Sequence, residues 1–568
     1  MARIRKLEIE GFRGVKSMSW CPNPGVNCLI GPGDSGKSTI LDAIDWCIGA
    51  RRSLQVTDAD FHKLNVADGL TIDVTLGDLD NQLKDIESYG LFLRGFDAAT
   101  CAVEDEPQGK LETALTVRLQ IGDDLEPRWS LFSGRAEAQG VSRALSFADR
   151  VRIAPTRIGS YALQHLSWQK GSILTRVTDE KVVAPGAFAT AAREARSSFG
   201  NEIGDQLKAT LGVVMTAADE LGVAYGDEIQ AMLDTQSVSF TDGTISLHDS
   251  DGIPLRRLGL GSSRLLVAGL QNRAANAATI SLIDEIEHGL EPHRIVRLLY
   301  EVGAKDKSQP IQIFLTTHSP AAIRELSGAQ LYVVRRAADQ HDIICAQNDD
   351  AVQGTLRKSA EAFLGTRVLV CEGVTEVGFI RGIDLYCSDN LLPTLAAAGV
   401  VTSDAGGVSK IYRQTAAFQK LGYQTATLRD DDAKPDAADE AKFQSDGGHV
   451  FKWTDGSAIE DALFASVSDE AVRALYSFAD QTHGSAVLDN LKSAAGGALD
   501  AAAWLEELNQ DKRKILAKAA HSGSWFKRVS LMEDAAREII GPDLATKRDN
   551  ILSKVLDEIY GWAGIAGA

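Results

Sequence analysis

The stretch GPGDSGKST at residues 31–39 fits the pattern G-x-x-x-x-G-K-[ST] and directly follows an apolar run, VNCLI, at residues 26–30. The apolar run predicts a buried strand, and the segment ILDAIDWCIG after the loop predicts a helix. Glycines let the intervening backbone fold tightly and aim its N–H groups at phosphate oxygens. The chain is therefore expected to contain a strand–loop–helix unit that binds a nucleotide, which restricts the fold to the α/β class.

Each residue type in this loop has a role in nucleotide binding. Lys37 would reach the β- and γ-phosphates, and Ser38 would bind Mg²⁺ through its hydroxyl. The helix that begins there also offers its positive end to the nucleotide. The predicted ATP-binding residues of the loop are Gly31, Gly33, Asp34, Ser35, Gly36, Lys37, Ser38 and Thr39.

Polar residues at the ends of two later apolar runs suit the same nucleotide. The run ISLIDEIEHGLEP (280–292) carries Asp284, which suits the water shell of Mg²⁺, and Glu285, which suits a base for the attacking water. The run IQIFLTTHSP (311–320) ends at His318, which could contact a γ-phosphate at the end of its strand. All three residues are predicted to act at the nucleotide.

A third segment, PLRRLGLGSSRLL at residues 254–266, places Gly261 before an apolar helical stretch. Such a helix N-terminus could meet a phosphate bound to a second copy of the chain, although a plain turn and helix cap explains the local sequence equally well. Together, these segments resemble the ATP-binding-cassette class of ATPases, in the branch that handles DNA ends and chromosomes. Members bind ATP between two head domains, and GLGSS (259–263) departs from their LSGGQ-like signature. The resemblance leaves the Q-loop residue open between Gln55 and Asp60.

A long insertion separates the P-loop from the acids. The segments at 70–76 and 114–121 alternate like strands of a meander, and the Asp-Gly pair within 238–247 predicts a hairpin. No long heptad run is present, which excludes an extended coiled coil. Residues 160–237 are expected to be an inserted, mostly helical region that serves for dimerisation, for core packing, or for both. A helical stripe is predicted at Phe199, Ile203, Leu207, Leu211, Val214 and Leu221.

The composition limits where such a chain can work. A net charge of −19 argues against a generally basic nucleic-acid coat but not against a local basic groove. Seven cysteines without a C-x-x-C pair indicate reduced thiols rather than disulfides or structural zinc. The N-terminus lacks the apolar core of a signal peptide, and no apolar run is long enough to span a membrane. We expect a cytoplasmic protein.

Another apolar strand that ends in an acid begins where the ATPase pattern is complete. The segment RVLVCEGVTEVGF (367–379) ends its apolar run at Glu372, and Glu376 follows one helical turn later. The segment TLAAAGVV (394–401) predicts a strand, and residues 404–422 predict a Gly-rich turn and a helix. The chain therefore starts a second α/β unit at this point.

Acids follow the next predicted strands too, in the segments YQTATLRDDDAKP and HVFKWTDGSAIEDALF: Asp430, Asp432, Asp455 and Glu460. In a parallel sheet such strand ends open on the same edge, so acids distant in sequence would gather there. The cluster would repel itself without a counter-charge, and Mg²⁺ or Mn²⁺ is the natural one. Two such ions could flank a scissile phosphate. Any one of these acids alone would be interpreted as a solvated strand-end residue.

The ordered set of strands and acids over residues 366–465 resembles the Toprim fold, which topoisomerases, primases, recombination mediators and some nucleases share. An ATP-binding-cassette head joined to Toprim resembles the OLD (overcoming lysogenisation defect) nuclease family over almost the whole chain. It is most similar to the second class, whose members include the nuclease subunit of the Gabija antiphage system. The resemblance maps the motif acids to Glu372, Asp430, Asp432 and Glu460 and the catalytic lysine to Lys527. With Glu376 and Asp455 from the segments above, the predicted metal ligands of this part are Glu372, Glu376, Asp430, Asp432, Asp455 and Glu460. The predicted catalytic residues of the chain are Glu285, Glu372, Glu376, Asp430, Asp432, Glu460 and Lys527.

The resemblance also implies the partners and cofactors. It implies ATP that regulates rather than drives cutting, and Mg²⁺ or Mn²⁺ as the metal of the nuclease. Ca²⁺ would be bound without full activity. It implies DNA as the substrate, a role in antiphage defence, a homodimer or higher homo-oligomer formed through the ATPase domains, and a helicase partner encoded nearby. The expected division is an ATP-binding-cassette-type ATPase domain at 1–365 and a Toprim nuclease domain with C-terminal helices at 366–568.

Two other functions are alternatives to the nuclease. One is a non-nucleolytic ATPase that binds DNA ends, of the recombination-mediator or chromosome-maintenance type. The separate acids argue against it, because a scaffold needs no such cluster. The other is a topoisomerase-like enzyme, which needs a tyrosine nucleophile. It is disfavoured because no recognisable breakage domain surrounds the available tyrosines, Tyr386, Tyr412, Tyr423 and Tyr476.

Overall fold

Two β-sheets position the predicted sites, one before and one after residue 365. The computed structural model of the chain describes residues 2–51, 53–145, 147–159, 166, 172–174, 185–221, 227, 247–273, 280–306, 311–337, 339–454 and 456–565. Within these ranges no helix combines the length and the apolar character that crossing a membrane requires.

Thirteen strands of the described chain form the first sheet: β1 (Arg3–Phe12), β2 (Val15–Trp20), β3 (Val26–Ile30), β4 (Leu70–Gly77), β5 (Leu93–Asp97), β6 (Ala102–Glu104), β7 (Glu112–Ile121), β8 (Arg128–Phe132), β9 (Thr156–Ile158), β10 (Ile280–Ile283), β11 (Gln312–Thr316), β12 (Leu331–Ala337) and β13 (Gln340–Cys345). Their spatial order is β6-β5-β7-β4-β1-β2-β13-β12-β3-β11-β10-β9, and β8 pairs with β7.

The first sheet is mixed. β3 runs parallel to β11 and β12, and β10 runs parallel to β9 and β11. β1 pairs antiparallel with β2 and β4, and β4 pairs antiparallel with β7. Every residue of β3, β10 and β11 is buried, which explains their continuous apolar runs, because a central parallel strand has both faces covered. The strands predicted at 26–30, 70–76 and 114–121 are confirmed.

The described helices of this part are α1 (Lys37–Ile48), α2 (Ile86–Tyr89), α3 (Gly134–Ala138), α4 (Phe147–Ile153), α5 (Pro185–Leu221), α6 (Leu260–Arg273), α7 (Pro292–Glu301), α8 (Pro320–Glu325) and α9 (Asp350–Lys358). α1 begins at the P-loop lysine, and α6 begins one residue before Gly261. Both predicted helices next to the nucleotide-binding motifs are therefore present.

The helix α5 covers much of the predicted helical insertion and is 37 residues long. Its side chains Leu207 and Val214, which belong to the predicted apolar stripe, are exposed, and so is Val213. The hairpin predicted within 238–247 lies outside the described residues except for its last position. A role for this region in dimerisation stays a prediction.

The second sheet has four described strands: β14 (Arg367–Cys371), β15 (Val400–Asp404), β16 (Gln424–Arg429) and β17 (His449–Lys452). Their order is β15-β14-β16-β17, and every pair is parallel. The described helices around it are α10 (Val374–Asp389), α11 (Val408–Gln419), α12 (Ala437–Ser445), α13 (Ile459–Ser466), α14 (Asp469–His483), α15 (Ala486–Ala495), α16 (Ala501–Glu506), α17 (Gln510–Gly523), α18 (Val529–Ala535), α19 (Gly541–Thr546) and α20 (Ile551–Trp562). The parallel arrangement that was predicted from the strand-end acids is thus observed.

The strand predicted at 394–401 was placed too early in the chain. Residues 395–399 form turns, and β15 occupies Val400–Asp404 instead. The carboxylate of Asp384 on α10 accepts the backbone N–H groups of Leu395 and Ala396 and so holds the turn. Gly399 then takes a positive φ of 72° immediately before the strand. The alanine-rich run at 394–399 has the apolar composition of a strand, but the contact with Asp384 that makes it a turn is not visible in the local sequence.

The two sheets share one buried cluster of apolar side chains. Cys28 and Val333 from the first sheet belong to it together with Val370 from the second. Beside it, the guanidinium of Arg335 on β12 lies 3.7 Å from the ring centre of Tyr423, which directly precedes β16. The Tyr423 hydroxyl donates to the carbonyl oxygen of Phe363 at 2.5 Å. The ATPase sheet and the carboxylate-bearing sheet are therefore packed directly against each other.

Candidate functional site

The P-loop connects β3 to α1, and two of its glycines adopt positive φ angles that other residues rarely adopt. Gly31 has a φ of 149° and Gly36 a φ of 91°. A side chain at Gly31 would also meet the carbonyl oxygen of Val334 at 2.6 Å. Glycine is therefore required at this position, both for the conformation and for the close approach of the neighbouring strand.

Lys37 lies buried beneath this loop. Its Nζ donates to the carbonyl oxygens of Gly31 at 3.1 Å and Pro32 at 2.8 Å and to the hydroxyl of Ser35 at 3.3 Å. Burial lowers the pKa of Lys37, and the nearby carboxylates, Asp284 first among them, oppose that effect. The ammonium is thus placed where phosphate oxygens could replace the loop oxygens as its partners.

Asp284 connects the P-loop with the end of the neighbouring strand β11. Its Oδ1 accepts hydrogen bonds from the hydroxyl of Ser38 at 3.1 Å and from the hydroxyl of Thr316 at 2.6 Å. The Thr316 hydroxyl in turn accepts the backbone N–H of Glu285 at 2.8 Å. The two residues predicted to bind Mg²⁺ here, Ser38 and Asp284, therefore lie in direct contact, with Glu285 beside them.

Glu287 holds the segment that carries His318. Its Oε2 accepts from the hydroxyl of Thr317 at 2.6 Å, and its Oε1 accepts from the backbone N–H of His318 at 2.7 Å. His318 itself is exposed at the end of β11. Glu287 was not predicted from the sequence, because only the pairing of β10 with β11 brings it to this turn.

Gly261, at the start of α6, packs against the segment that follows Glu285. A side chain there would meet the carbonyl oxygen of Gly289 at 2.3 Å. A glycine is therefore needed for packing within one chain, and its contact with a phosphate on a second copy stays a prediction. Of the two Q-loop candidates, Gln55 is exposed, whereas Asp60 is buried and accepts a hydrogen bond from Arg13 Nε at 2.9 Å.

Arg264 on α6 connects this helix to the acid pair. It is 1% exposed, and its guanidinium donates to the carbonyl oxygens of Asp284 at 2.5 Å, Glu285 at 2.9 Å and His288 at 2.7 Å. Burial lowers the pKa of Arg264. Within the described residues, all acceptors of its guanidinium hydrogen bonds are backbone carbonyl oxygens rather than carboxylates. The backbone that presents Asp284 and Glu285 is thus fixed from the helix behind it.

Replacing Arg264 by methionine is expected to lower the free energy of unfolding by about 3 kcal/mol, because buried carbonyl oxygens lose their charged donor. ATP turnover should fall with it, since the acid pair loses its support. Chemical unfolding and phosphate release would measure both effects. The control is Arg257→Met at an exposed position just before the helix. Equal stability of the two variants would contradict the bracing role.

The second sheet brings carboxylates together at its carboxyl edge. Glu372 directly follows β14, and its Oε2 accepts the backbone N–H of Asp430 at 3.1 Å. Glu376 is 3% exposed and accepts the N–H of Gly373 at 2.8 Å. Asp430 Oδ1 accepts the N–H of Ile459 at 2.9 Å. These carboxylates are therefore held by the backbone of three separate segments.

The cluster perturbs the acidity of its members. Burial raises the pKa of Asp430 to about 9, with further increases from the negative charges of Glu376, Glu372, Glu460 and Asp432. Burial, opposed by backbone hydrogen bonds and assisted by Glu372 and Glu460, raises the pKa of Glu376 to about 7. Burial also raises the pKa of Glu372. The five acids predicted from separate motifs thus interact electrostatically within one site.

Asp431, between the two aspartates of the D-x-D motif, has a different role. It is 1% exposed and pairs with Arg429 Nη1 at 2.9 Å and with Lys434. The hydrogen bond from Lys434 is the main cause that lowers the pKa of Asp431. Arg429 also pairs with Glu440 at 3.0 Å. Asp431 therefore anchors the loop, so that Asp430 and Asp432 are presented to the cluster.

His521 on α17 was not predicted and lies against the cluster. Its Nδ1 is 3.2 Å from Oε2 of Glu460, which is only 2% exposed. The hydrogen bond to Glu460 raises the pKa of His521, and the charge of Lys527 opposes that shift. Lys527, which is predicted to be catalytic, is exposed. Its charge acts on His521, so it lies near the site. The sequence signal for His521 is its place six residues before Lys527, in HSGSWFKR.

The described side chains are not arranged as a metal site. Across the ranges given above, no group of three or more His, Cys, Asp or Glu could hold an ion as placed. Backbone N–H groups occupy oxygens of Glu372, Glu376 and Asp430, and His521 occupies one of Glu460. Asp455 lies outside the described residues. The metal roles of Ser38, Asp284, Glu372, Glu376, Asp430, Asp432, Asp455 and Glu460 stay predictions.

The P-loop, its acid pair and the sheet that joins them agree with a family comparison. Residues 26–324, more than half of the chain, match the family described as "AAA domain, putative AbiEii toxin, Type IV TA system". The chain belongs to this AAA-domain family. The first sheet and its helices thus form a P-loop ATPase domain of mixed α/β fold, and this domain binds nucleotide.

One relative of this AAA-domain protein matches more of the chain than its ATPase part. The chain is 24% identical over 466 residues to the OLD nuclease of Thermus scotoductus, which covers 76% of this chain and 82% of that one. It is 24% identical over 356 residues to the DNA replication and repair protein RecF of Shewanella baltica, covering 56% of this chain and 93% of that one. A solved Smc head bound to the C-winged helix domain of ScpA matches 60% of this chain and 96% of its own, at 16% identity and a TM-score of 0.35.

Proposed function

We propose that this AAA-domain protein is an ATP-binding, divalent-metal-dependent DNA endonuclease. Cutting is assigned to a Toprim-type nuclease domain at residues 366–568, and regulation to the ATPase domain at residues 1–365. The observation that carries the proposal is the gathering of five acids at one edge of the second parallel sheet. The similarity to the OLD nuclease of Thermus scotoductus supports it, because that similarity spans more of the chain than the ATPase family match.

The assembly and setting are part of the same proposal. The protein would form a homodimer or higher homo-oligomer through the ATPase domains, with the region around α5 at the contact. It would work in the cytoplasm, in antiphage defence, with a helicase partner encoded nearby. The exposed Leu207, Val213 and Val214 on α5 support a contact there, because exposed apolar side chains are common at interfaces.

The acids at the second sheet suit a hard divalent cation in kind. All of them offer carboxylate oxygens, the donors that Mg²⁺ and Mn²⁺ prefer. Burial and mutual repulsion raise the pKa of Asp430 and Glu376, so the cluster needs a positive partner to remain ionised near neutral pH. The residues that would hold the cation are Glu372, Glu376, Asp430, Asp432 and Glu460, with Asp455 as a further candidate. For the nucleotide, Ser38 and Asp284 would hold Mg²⁺.

The chain's own groups prepare this site for phosphodiester hydrolysis. A bound cation supplies Lewis-acid stabilisation of charge on the phosphate and a more acidic water. The N–H groups of Gly373, Asp430 and Ile459 hold three of the carboxylates in place. Lys527 adds positive charge on the exposed side, where it would stabilise charge that develops on the phosphate.

The test is cleavage of supercoiled plasmid by the full chain. We expect nicking or double-strand cutting with Mg²⁺ or Mn²⁺, little with Ca²⁺, none with EDTA, and a rate that changes when ATP is added. Glu372→Gln should abolish cutting while ATP turnover survives. The matched control, Asp439→Asn, removes one exposed carboxylate from α12 and should cut like the wild type. Wild-type cutting by Glu372→Gln would refute the nuclease assignment.

A second candidate is a repair ATPase that binds DNA ends without cutting them. The similarity to RecF of Shewanella baltica favours it, since that match covers 93% of the RecF chain. It predicts ATP-dependent binding to DNA and no cleavage with any divalent metal. The plasmid assay therefore separates the two candidates directly.

A further inference from the structure

One face of α17 is basic and forms the wall of an open groove. Lys514, Lys518 and His521 follow one another at intervals of four and three residues, so they share this face. The groove has a volume of about 750 Å³. Its other wall is formed by the turn at Gly456 and by the first part of α13. It is thus open to solvent rather than a closed pocket.

The groove leads directly into the carboxylate site. Asp432 lines it, and His521, which contacts Glu460, lines it too. Lys514 lies seven residues before His521, about 10 Å further along the helix axis. The basic residues therefore extend away from the proposed cutting site in one direction.

The two lysines are not used to hold the fold. No ion pair found among the described residues involves Lys514 or Lys518, and both are exposed. Their neighbours differ: Lys512 donates to the carbonyl oxygens of Trp504 and Glu507 at 2.7 Å, and Arg513 donates to that of Val467 at 2.8 Å. Lys514 and Lys518 are therefore available to a ligand, whereas Lys512 and Arg513 hold the helix.

Two acids also line the groove, Asp461 and Asp432, and within the described part of the chain neither forms an ion pair with Lys514 or Lys518. Asp461 Oδ2 accepts the backbone N–H of Ala458 at 3.1 Å and so caps α13. Asp432 lies at the end of the groove with the carboxylate cluster. In a chain whose net charge is −19, two unpaired lysines side by side mark a local site for a negatively charged ligand.

Resting on the proposed nuclease function, we propose that this groove holds the sugar–phosphate backbone of the DNA strand on one side of the scissile phosphate, with Lys514 and Lys518 as phosphate contacts. A polyanion that passes through the carboxylate site must continue along one of its walls, and α17 supplies the positive one. Contacts from lysine to phosphates carry no sequence information, so these two residues would bind DNA without regard to sequence.

The test replaces both lysines by glutamine, a residue that keeps the helix propensity and removes the charge. Binding of a fluorescent duplex is measured at increasing NaCl in the full chain carrying Glu372→Gln, with Mg²⁺. Loss of two phosphate contacts should reduce the slope of log K against log salt concentration by about 1.8. Plasmid cleavage is measured with the double-lysine variant that keeps Glu372. Its KM for DNA should rise, while its kcat at saturating DNA should change less than twofold from that of the wild type.

The control pair is Lys84→Gln with Lys442→Gln, which removes the same charge from two other exposed lysines. Its salt slope should equal that of the parent. An unchanged slope in the groove variant, or an equal decrease in the control pair, overturns the groove proposal. If the nuclease proposal is wrong, cutting will persist in Glu372→Gln. The salt slope still decides independently whether DNA contacts these lysines.

Discussion

Asp430→Asn is expected to have opposite effects on activity and stability. DNA cleavage should fall by about 10²–10³-fold, the size of loss that follows removal of one electrostatic group in other hydrolases. The metal-free protein should become more stable by about 1 kcal/mol, because folding must otherwise either protonate Asp430 or bury its charge beside Glu372, Glu376 and Glu460, and asparagine avoids that cost. The amide oxygen can still accept the N–H of Ile459. Plasmid cleavage and chemical unfolding in EDTA measure the two effects.

The pH dependence of stability provides a second measurement on the same variant. A carboxyl whose pKa is higher in the folded state stabilises the fold below its unfolded value, and this contribution is lost as pH rises through the folded value. Asp430 is raised to about 9 and Glu376 to about 7. The free energy of unfolding of the metal-free wild type should therefore fall between about pH 4 and pH 9. Asp430→Asn should flatten most of this decrease.

The neighbouring residue supplies the matched control. Asp431→Asn breaks the buried pair with Arg429 and leaves its guanidinium without that partner. It should destabilise the protein by about 2 kcal/mol, because Arg429 keeps its pair with Glu440 but loses a buried, charged hydrogen-bond partner. Two adjacent Asp→Asn changes would thus shift stability in opposite directions. A loss of stability in Asp430→Asn of the same size would contradict the repulsive cluster.

Glu285→Gln and Lys37→Ala are expected to abolish most ATP turnover by different routes. Glu285→Gln removes the carboxylate predicted to polarise the attacking water, so phosphate release should fall by about 10²–10³-fold while nucleotide still binds. Lys37→Ala removes the ammonium under the P-loop, so nucleotide binding itself should be lost. Phosphate release and binding of a fluorescent ATP analogue separate the two.

The control for the ATPase variants is Glu291→Gln, which changes an exposed glutamate that forms an ion pair with Arg294 in the first turn of α7. Its turnover should match that of the wild type. If neither Glu285→Gln nor Lys37→Ala lowers turnover, then ATP is hydrolysed by other residues, or this ATPase domain binds nucleotide without hydrolysing it.

Much of the fold followed from local sequence because its central strands are buried on both faces. Such strands are largely apolar runs, and the P-loop and the acids come at their ends, as in β3, β10 and β14. Site residues at strand ends could therefore be located before the sheets were known. The same rule failed at 394–401, where an apolar composition belongs to a turn held by Asp384.

The residues that sequence could not identify act across long distances in the chain. Arg264 supports the backbone of Asp284, and His521 contacts Glu460, through contacts that no local pattern encodes. Lys514 and Lys518 look like ordinary surface lysines until the groove beside them is seen to end at the acids. Side-chain roles that depend on tertiary packing require the structure, whereas roles tied to strand ends do not.

The apolar cluster shared by the two sheets links the thermodynamics of the two sites. Cys28 lies in β3, the strand that leads into the P-loop, and Val370 lies two residues before Glu372, yet both are buried in the same cluster. Ending the chain after residue 365 would leave apolar surface exposed on each fragment. A nucleotide that binds only the folded chain therefore also protects the carboxylate edge against global unfolding. ATP can thus influence the second site through the shared unfolding equilibrium alone.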